Sequence, residues 1–267
     1  MNSQRSVQEA AFLQNSGDYL RRAVVSAQNV LPHIFSLVRP SSVVDFGCGG
    51  GAWLSVCNEM GINDVIGLDG SYVDTKKLQF PEEHFLAHDL RQPLEITRRF
   101  DLAISLEVAE HIPAEASRIY IQSLVKLSPV ILFSAAIPHQ GGVGHVNEQW
   151  PSYWMELFHE LNYRPIDCIR KIIWNTKEID TWYKQNTILF AEAEFLNNNP
   201  LLRSEYESCR GLPMDLVHPD RYLAEADPNR IDVRKIPLDT AWKALKLQIR
   251  RRLISKLHWR IRRLLKT

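Results

Sequence analysis

A chain of 267 residues is long enough for one sizeable core with appendages, and 45% apolar against 24% charged residues is the balance of an ordinary globular protein. No run approaches the roughly 18 uninterrupted apolar residues of a membrane span, and Met1-Asn2-Ser3-Gln4-Arg5 lacks the apolar stretch of a signal peptide, so a cytoplasmic protein without a transmembrane helix is expected. The net charge of +1 conceals a division: residues 241–267 hold ten of the 32 Lys and Arg and none of the 31 Asp and Glu, leaving 22 cations against 31 anions before them. The four cysteines, Cys48, Cys57, Cys168 and Cys209, form no C-x-x-C pair and read as reduced thiols that pack as small hydrophobes.

Residues 1–17 are polar and read as a lead-in. From Asp18, a good N-cap, apolar residues at helical spacing run from Tyr19-Leu20 to Leu37-Val38, with Pro32 expected to kink the helix or start a new turn. Val43-Val44 then read as a strand running into Asp45, followed by Gly47, Gly49, Gly50 and Gly51 within five positions. Glycine at that density serves a turn whose backbone takes positive φ or comes against a ligand, and the helix start behind it offers unpaired N–H groups. Ala52 to Met60 is the expected crossover helix, Val65 to Leu68 a second strand ending at Asp69, and Ser71 the cap of a short helix. Phe85-Leu86-Ala87 is a third strand ahead of Asp89, Phe100 to Leu106 a fourth, Ala114 to Leu127 a helix and Pro129 to Ser134 a fifth strand. Ile137 to Asn147, rich in glycine and histidine, reads as a loop, and Trp150-Pro151-Ser152 starts a helix reaching about Leu161. Ile166 to Trp174 and Thr187 to Ala193 read as a last pair of strands, and the five prolines of residues 200–240 as an irregular extension.

The D-x-G-C-G-x-G pattern from Asp45 to Gly51 resembles the first motif of class I S-adenosylmethionine (SAM) methyltransferases. A dinucleotide site would instead want G-x-G-x-x-G. The resemblance spans roughly residues 18–196 and implies an α/β fold: a Rossmann-like, doubly wound seven-stranded sheet closed by an antiparallel pair, here followed by the extension 197–240 and a C-terminal basic helix over 241–267. It implies SAM as cofactor, with Asp45, Gly47, Gly49, Gly51 and Leu106 around the first turn and fourth strand, Asp69 on the ribose hydroxyls and Asp89 near the adenine. Tyr72 is a candidate to lie over the adenine or an ordinary surface aromatic. The helix before the first strand either covers the cofactor or simply packs on the sheet.

Glu107-x-x-Glu110-His111 places three polar groups at i, i+3 and i+4, a spacing that shares one side of a helical turn. This set with the distal His145 resembles two metal-assisted O-methyltransferase groups, the small-RNA 3′-terminal ribose methyltransferases and the ubiquinone-pathway enzymes. That resemblance implies Glu107, Glu110, His111 and His145 as ligands of Mg²⁺ or another divalent cation, and a substrate with two neighbouring oxygens. Without a metal, His111 or His145, assisted by Glu110, is the candidate general base. His139, Gln140 and Asn147 are candidate substrate contacts.

In the tail, Trp242, Leu245, Ile249, Leu253, Leu257 and Ile261 form an apolar stripe between cations. Such a helix suits an anionic membrane surface, so the protein is expected to be cytoplasmic and peripheral to the membrane; phosphates of a nucleic acid, or another face of protein, are the other partners it suits. The function expected is a SAM-dependent O-methyltransferase for a hydroxyl of a sugar or polyol, on a glycan, lipid-linked or secondary-metabolite acceptor. RNA ribose 2′-O-methylation and a non-catalytic SAM-binding scaffold are the alternatives.

Overall fold

The computed structural model describes residues 17–226 and Trp242. The chain divides into two units, the first ending at His218 and the second beginning at Pro219. The first unit is a seven-stranded sheet of order β3-β2-β1-β4-β5-β7-β6. Its strands are β1 (Ser42–Phe46), β2 (Asp64–Asp69), β3 (Phe85–Ala87), β4 (Leu102–Leu106), β5 (Val130–Ser134), β6 (Tyr163–Ile166) and β7 (Ile188–Glu192). β1 to β5 pair in parallel, and β7 joins antiparallel to both β5 and β6, with Leu132 opposite Leu189. The chain lays β2 and β3 on one side of β1 and β4 on the other. The carboxyl ends of β1 and β4 therefore open a crevice at the point where strand order reverses, the place such sheets bind ligands.

Both faces of the sheet are covered, and the two-residue period of the strands decides which side chain goes where. Val43, Leu102, Ile104, Leu132 and Leu189 pack with Ala27, Val30, Leu31 and Ile34 of α1 (Gly17–Val38) and Leu54 and Val56 of α2 (Ala52–Glu59). Val44, Phe46, Ala103, Ile131 and Phe190 pack on the opposite side with Tyr120, Ile121 and Leu124 of α3 (Ser117–Leu127) and Trp154 and Phe158 of α4 (Pro151–Glu160). Pro32 lies inside α1 without ending it. The four cysteines are free and buried.

Four segments differ from the sequence reading. Ile166 to Trp174 is not one strand: β6 ends at Ile166 and α5 (Arg170–Ile173) follows. Ile169 and Ile173, four apart, are both buried while Ile172 between them is 45% exposed, a helical pattern hidden in a short apolar run. The polar joint before β7 holds α6 (Thr181–Asn186). The extension is only partly irregular where it is described: residues 210–218, with Pro213, form no helix or strand, while Pro200 and Pro219 start helices instead of breaking them. After α7 (Ala193–Asn198), Pro200 opens α8 (Pro200–Cys209), whose cap Asn199 accepts a hydrogen bond from the Leu202 amide at 3.1 Å, and Pro219 opens α9 (Pro219–Ala226). Leu202 and Cys209 join the core. Likewise Ser71 caps no helix; a 3-10 turn begins at Thr75, capped by Asp74. The basic helix expected over 241–267 lies, Trp242 apart, outside the described residues, as do residues 1–16 of the lead-in. Among the described residues no helix is long and apolar enough to cross a membrane.

Candidate functional site

The glycine bend after β1 is built for close approach. Gly47 has φ +100°, and a Cβ there would come within 2.5 Å of the Val108 side chain. Gly49 has φ +50° and faces open space, so a ligand meets bare backbone at that point. Gly51, in the left-handed region, is the N-cap of α2. The bend is fixed to the end of β2 by Asp69. One carboxylate oxygen of this residue accepts from the Gly49 amide at 2.8 Å, and the other from the Gly70 amide and the Tyr72 hydroxyl, both at 2.6 Å. Burial pushes the Asp69 carboxyl up, and these three hydrogen bonds pull in the other direction. Tyr72 thus stands against the acid and takes one of its oxygens.

Asp45, Gly47, Gly49 and Leu106 line one cleft, together with Tyr19 and Leu20 from α1 and Tyr183 from α6. α1 packs on the sheet through Ala27 to Ile34, and its Tyr19 and Leu20 line the cleft. Burial, and then the neighbouring Asp69, raises the Asp45 carboxyl well above the usual carboxylate range. Among the described residues no Lys or Arg lines this cleft, and Asp45 is its one acid. Such a lining favours a cationic ligand over a phosphorylated one. Asp89 is exposed, and Arg91 holds its carboxylate at 2.7 and 2.8 Å and keeps it below the usual range.

Beyond β4 the chain turns through Glu107, whose φ of +56° is left-handed. This rotation breaks the helical spacing on which a shared face for Glu107 and Glu110 depends, since only Ala109–His111 forms a 3-10 turn. The two acids accordingly part. Glu107 accepts from the Asn186 amide at 3.0 Å and the Gln140 amide at 2.9 Å. Glu110 is 1% exposed, and neither of its carboxylate oxygens makes a hydrogen bond of ordinary geometry among the described residues, although its own amide and that of Ala136 lie near enough to act on the carboxyl. Burial and then Glu107 raise its carboxyl well above the usual range.

Beside Glu110 stand His111 and His145. The three residues each offer a ligand atom within 4.8 Å of the others, while Glu107 is not in that group. The imidazoles meet edge to face with centroids 4.9 Å apart, and His145 Nε2 lies 3.9 Å from Glu110 Oε1. Burial, then His145, lowers His111 to about 4, so its ring is neutral near physiological pH. Such an O, N, N set around a buried carboxylate has the donors for a borderline divalent cation. Of the other candidates in this loop, His139 is exposed, Gln140 serves Glu107, and Asn147 is buried, bonded to Ser117 and Gln149. Asn186 and Tyr183 were missed by the sequence reading. Both come from a short helix with no motif of its own.

A family model described as a methyltransferase domain matches residues 19–173. No curated protein matches the chain. Among solved structures it is similar to the methyltransferase domain of bacterial CtHen1, at 15% identity over 64% of this chain and 98% of that one, with a TM-score of 0.46. Magnesium protoporphyrin IX methyltransferase (ChlM) from Synechocystis PCC 6803 with bound SAH is similar at 16% identity over 64% and 82%, with a TM-score of 0.44. The DhpI–SAH complex is similar at 14% identity over 70% and 92%, with a TM-score of 0.46.

Proposed function

The chain belongs to the class I SAM-dependent methyltransferases, and from that premise we propose that it methylates a hydroxyl of a neutral sugar or other polyol with the help of a divalent cation. The observation that carries this reading is Glu110, a carboxylate buried between two imidazoles, neither oxygen of which makes a hydrogen bond of ordinary geometry among the described residues. Burial disfavours the charged form of this carboxyl, and a bound cation would be the partner that restores it. Glu110, His111 and His145 would hold the ion, which would supply Lewis acidity toward two neighbouring hydroxyls and ease loss of a proton from one.

The chain's own residues do the rest. Asp69, which Tyr72 and Gly70 meet on one oxygen and Gly49 on the other, would hold the ribose hydroxyls of SAM, and Asp45 would lie on the side of its cationic methionine part. Gly47 and Gly49 let the cofactor reach the backbone. Methyl transfer is an in-line displacement, so rate depends on how well these contacts align donor and acceptor. The acceptor's neutrality is supported by charge: the charged groups that raise Glu110 are Glu107 and Glu148, both acids, which disfavours a phosphate nearby. Val143, Val146 and Trp150, exposed on the loop that carries His145, offer apolar surface to a sugar ring or an aglycone. The ten cations of residues 241–267 support an acceptor presented at an anionic membrane surface.

Transfer of labelled methyl from SAM tests this. Neutral glycosides with a vicinal diol are expected to become labelled in the presence of Mg²⁺ or Mn²⁺ and to lose the label with EDTA. Labelling of short RNA 3′ ends in preference to every neutral diol would overturn the acceptor assignment, and labelling that EDTA leaves unchanged would remove the metal.

A further inference from the structure

We propose that Glu148 is a positioning residue that selects which ring nitrogen of His145 faces Glu110; the assignment rests on the role given to His145 above. One carboxylate oxygen of Glu148 accepts from the His139 amide at 2.8 Å, and the other from the Gly141 amide at 2.6 Å and from His145 Nδ1 at 2.9 Å. A carboxylate that receives two backbone N–H groups is an acceptor, so the Nδ1 that meets it carries the proton. In the neutral ring this leaves the lone pair on Nε2, the nitrogen 3.9 Å from Glu110 Oε1. A histidine that binds a cation or takes a proton needs that free lone pair, and a carboxylate on its other nitrogen fixes both the tautomer and the ring angle.

The loop is shaped around this contact. His139, Gly141 and Gly144 all have left-handed φ, at +67°, +68° and +79°, which folds the segment back so that residue 148 reaches residues 139 and 141. A Cβ at Gly142 would come within 2.2 Å of His145 Nε2, so the ring occupies the space of the missing side chain. His111 holds it from another direction, edge to face. Glu148 therefore ties the two ends of the loop and the ring to one carboxylate, three residues beyond the histidine it orients.

The test needs neither substrate nor a loaded site. In the full chain labelled with ¹⁵N-histidine, two-bond proton–nitrogen correlation at mildly alkaline pH reads each ring's tautomer, with His145 identified by its loss in His145→Gln. The wild type is expected to show His145 protonated on Nδ1. Glu148→Gln, which keeps one acceptor oxygen for the loop amides, is expected to retain the fold, to lose that tautomer preference, and to weaken Mn²⁺ binding roughly 10- to 100-fold with SAM affinity unchanged. A wild-type His145 protonated on Nε2, or a Glu148→Gln variant with the wild-type tautomer and Mn²⁺ affinity, would overturn the assignment. An Nδ1-protonated wild type that binds no Mn²⁺ would uphold it while removing the metal from the proposed function.

Discussion

Asp69→Asn is expected to weaken SAM binding about 100-fold by calorimetry. The side chain is 4% exposed at the end of β2, and its two oxygens accept from the Gly49 and Gly70 amides beside the glycine bend, from where the proposed function has them take the ribose hydroxyls. Hydrogen bonds to a charged group contribute about 1.5 to 3 kcal/mol each; losing most of two such bonds, about 3 kcal/mol, corresponds to roughly a hundredfold. Stability should move differently. Burial raises the Asp69 carboxyl, so between the unfolded and folded values the folded state holds more protons than the unfolded one. Its ionisation therefore lowers the stability of the ligand-free protein as pH rises through that window. Asp69→Asn removes this contribution, and its thermal midpoint relative to wild type should improve from acid toward neutral pH. Tyr72→Phe is the control: it removes one of the two donors on that Asp69 oxygen, leaving the Gly70 amide and the acid, and should bind SAM as well as wild type or better. Unchanged affinity in Asp69→Asn, or an equal loss in Tyr72→Phe, would contradict the role given to this acid.

Glu110→Gln is expected to reduce kcat/KM at least about 100-fold, the loss of roughly 3 kcal/mol of transition-state stabilisation. It should do so without loss of fold. The carboxylate is buried and makes no hydrogen bond of ordinary geometry among the described residues, so replacing it by an amide of the same shape removes a group whose charged form burial disfavours. The metal-free variant should melt at or above the wild-type temperature. Mn²⁺ should then raise the wild-type midpoint and leave the variant's unchanged, since only a protein that binds the ion gains from it. Full activity in Glu110→Gln, or a variant that still responds to Mn²⁺, would show that this carboxylate is not the anchor. Glu107→Gln is a different case: its oxygens are held by Asn186 and Gln140, and Mn²⁺ affinity should survive the change.

The donor half of the site was legible in the sequence because its chemistry is local. Asp45, the glycines after it and Asp69 stand at the ends of adjacent strands whose register, Asp45 opposite Gly67 and Phe46 opposite Leu68, follows from two apolar runs. The acceptor half was only partly legible. Glu110, His111 and His145 do meet, yet i, i+3 spacing gave Glu107 to the same group, because a positive φ at a non-glycine residue leaves no trace in the sequence. Asn186 and Gln140, which hold Glu107, lie 79 and 33 residues away from it, and such pairings are set by tertiary packing. Asp89 reads as an adenine contact by position; its pairing with Arg91, two residues on, is a surface contact that the sequence spacing does not announce. Glu148 could have been read from its distance of three to His145, a short reach for a carboxylate to an imidazole. The prolines at 200 and 219 misled in the opposite sense, since proline marks a helix start as readily as a break.

The most direct measurement is a crystal structure with S-adenosylhomocysteine and Mn²⁺, with anomalous data collected at the manganese edge. The account predicts ribose hydroxyls on Asp69, the homocysteine part beside Asp45, and one anomalous peak among Glu110, His111 and His145. A nucleoside bound away from the glycine bend, or a cofactor in place with no manganese between those three side chains, would contradict it.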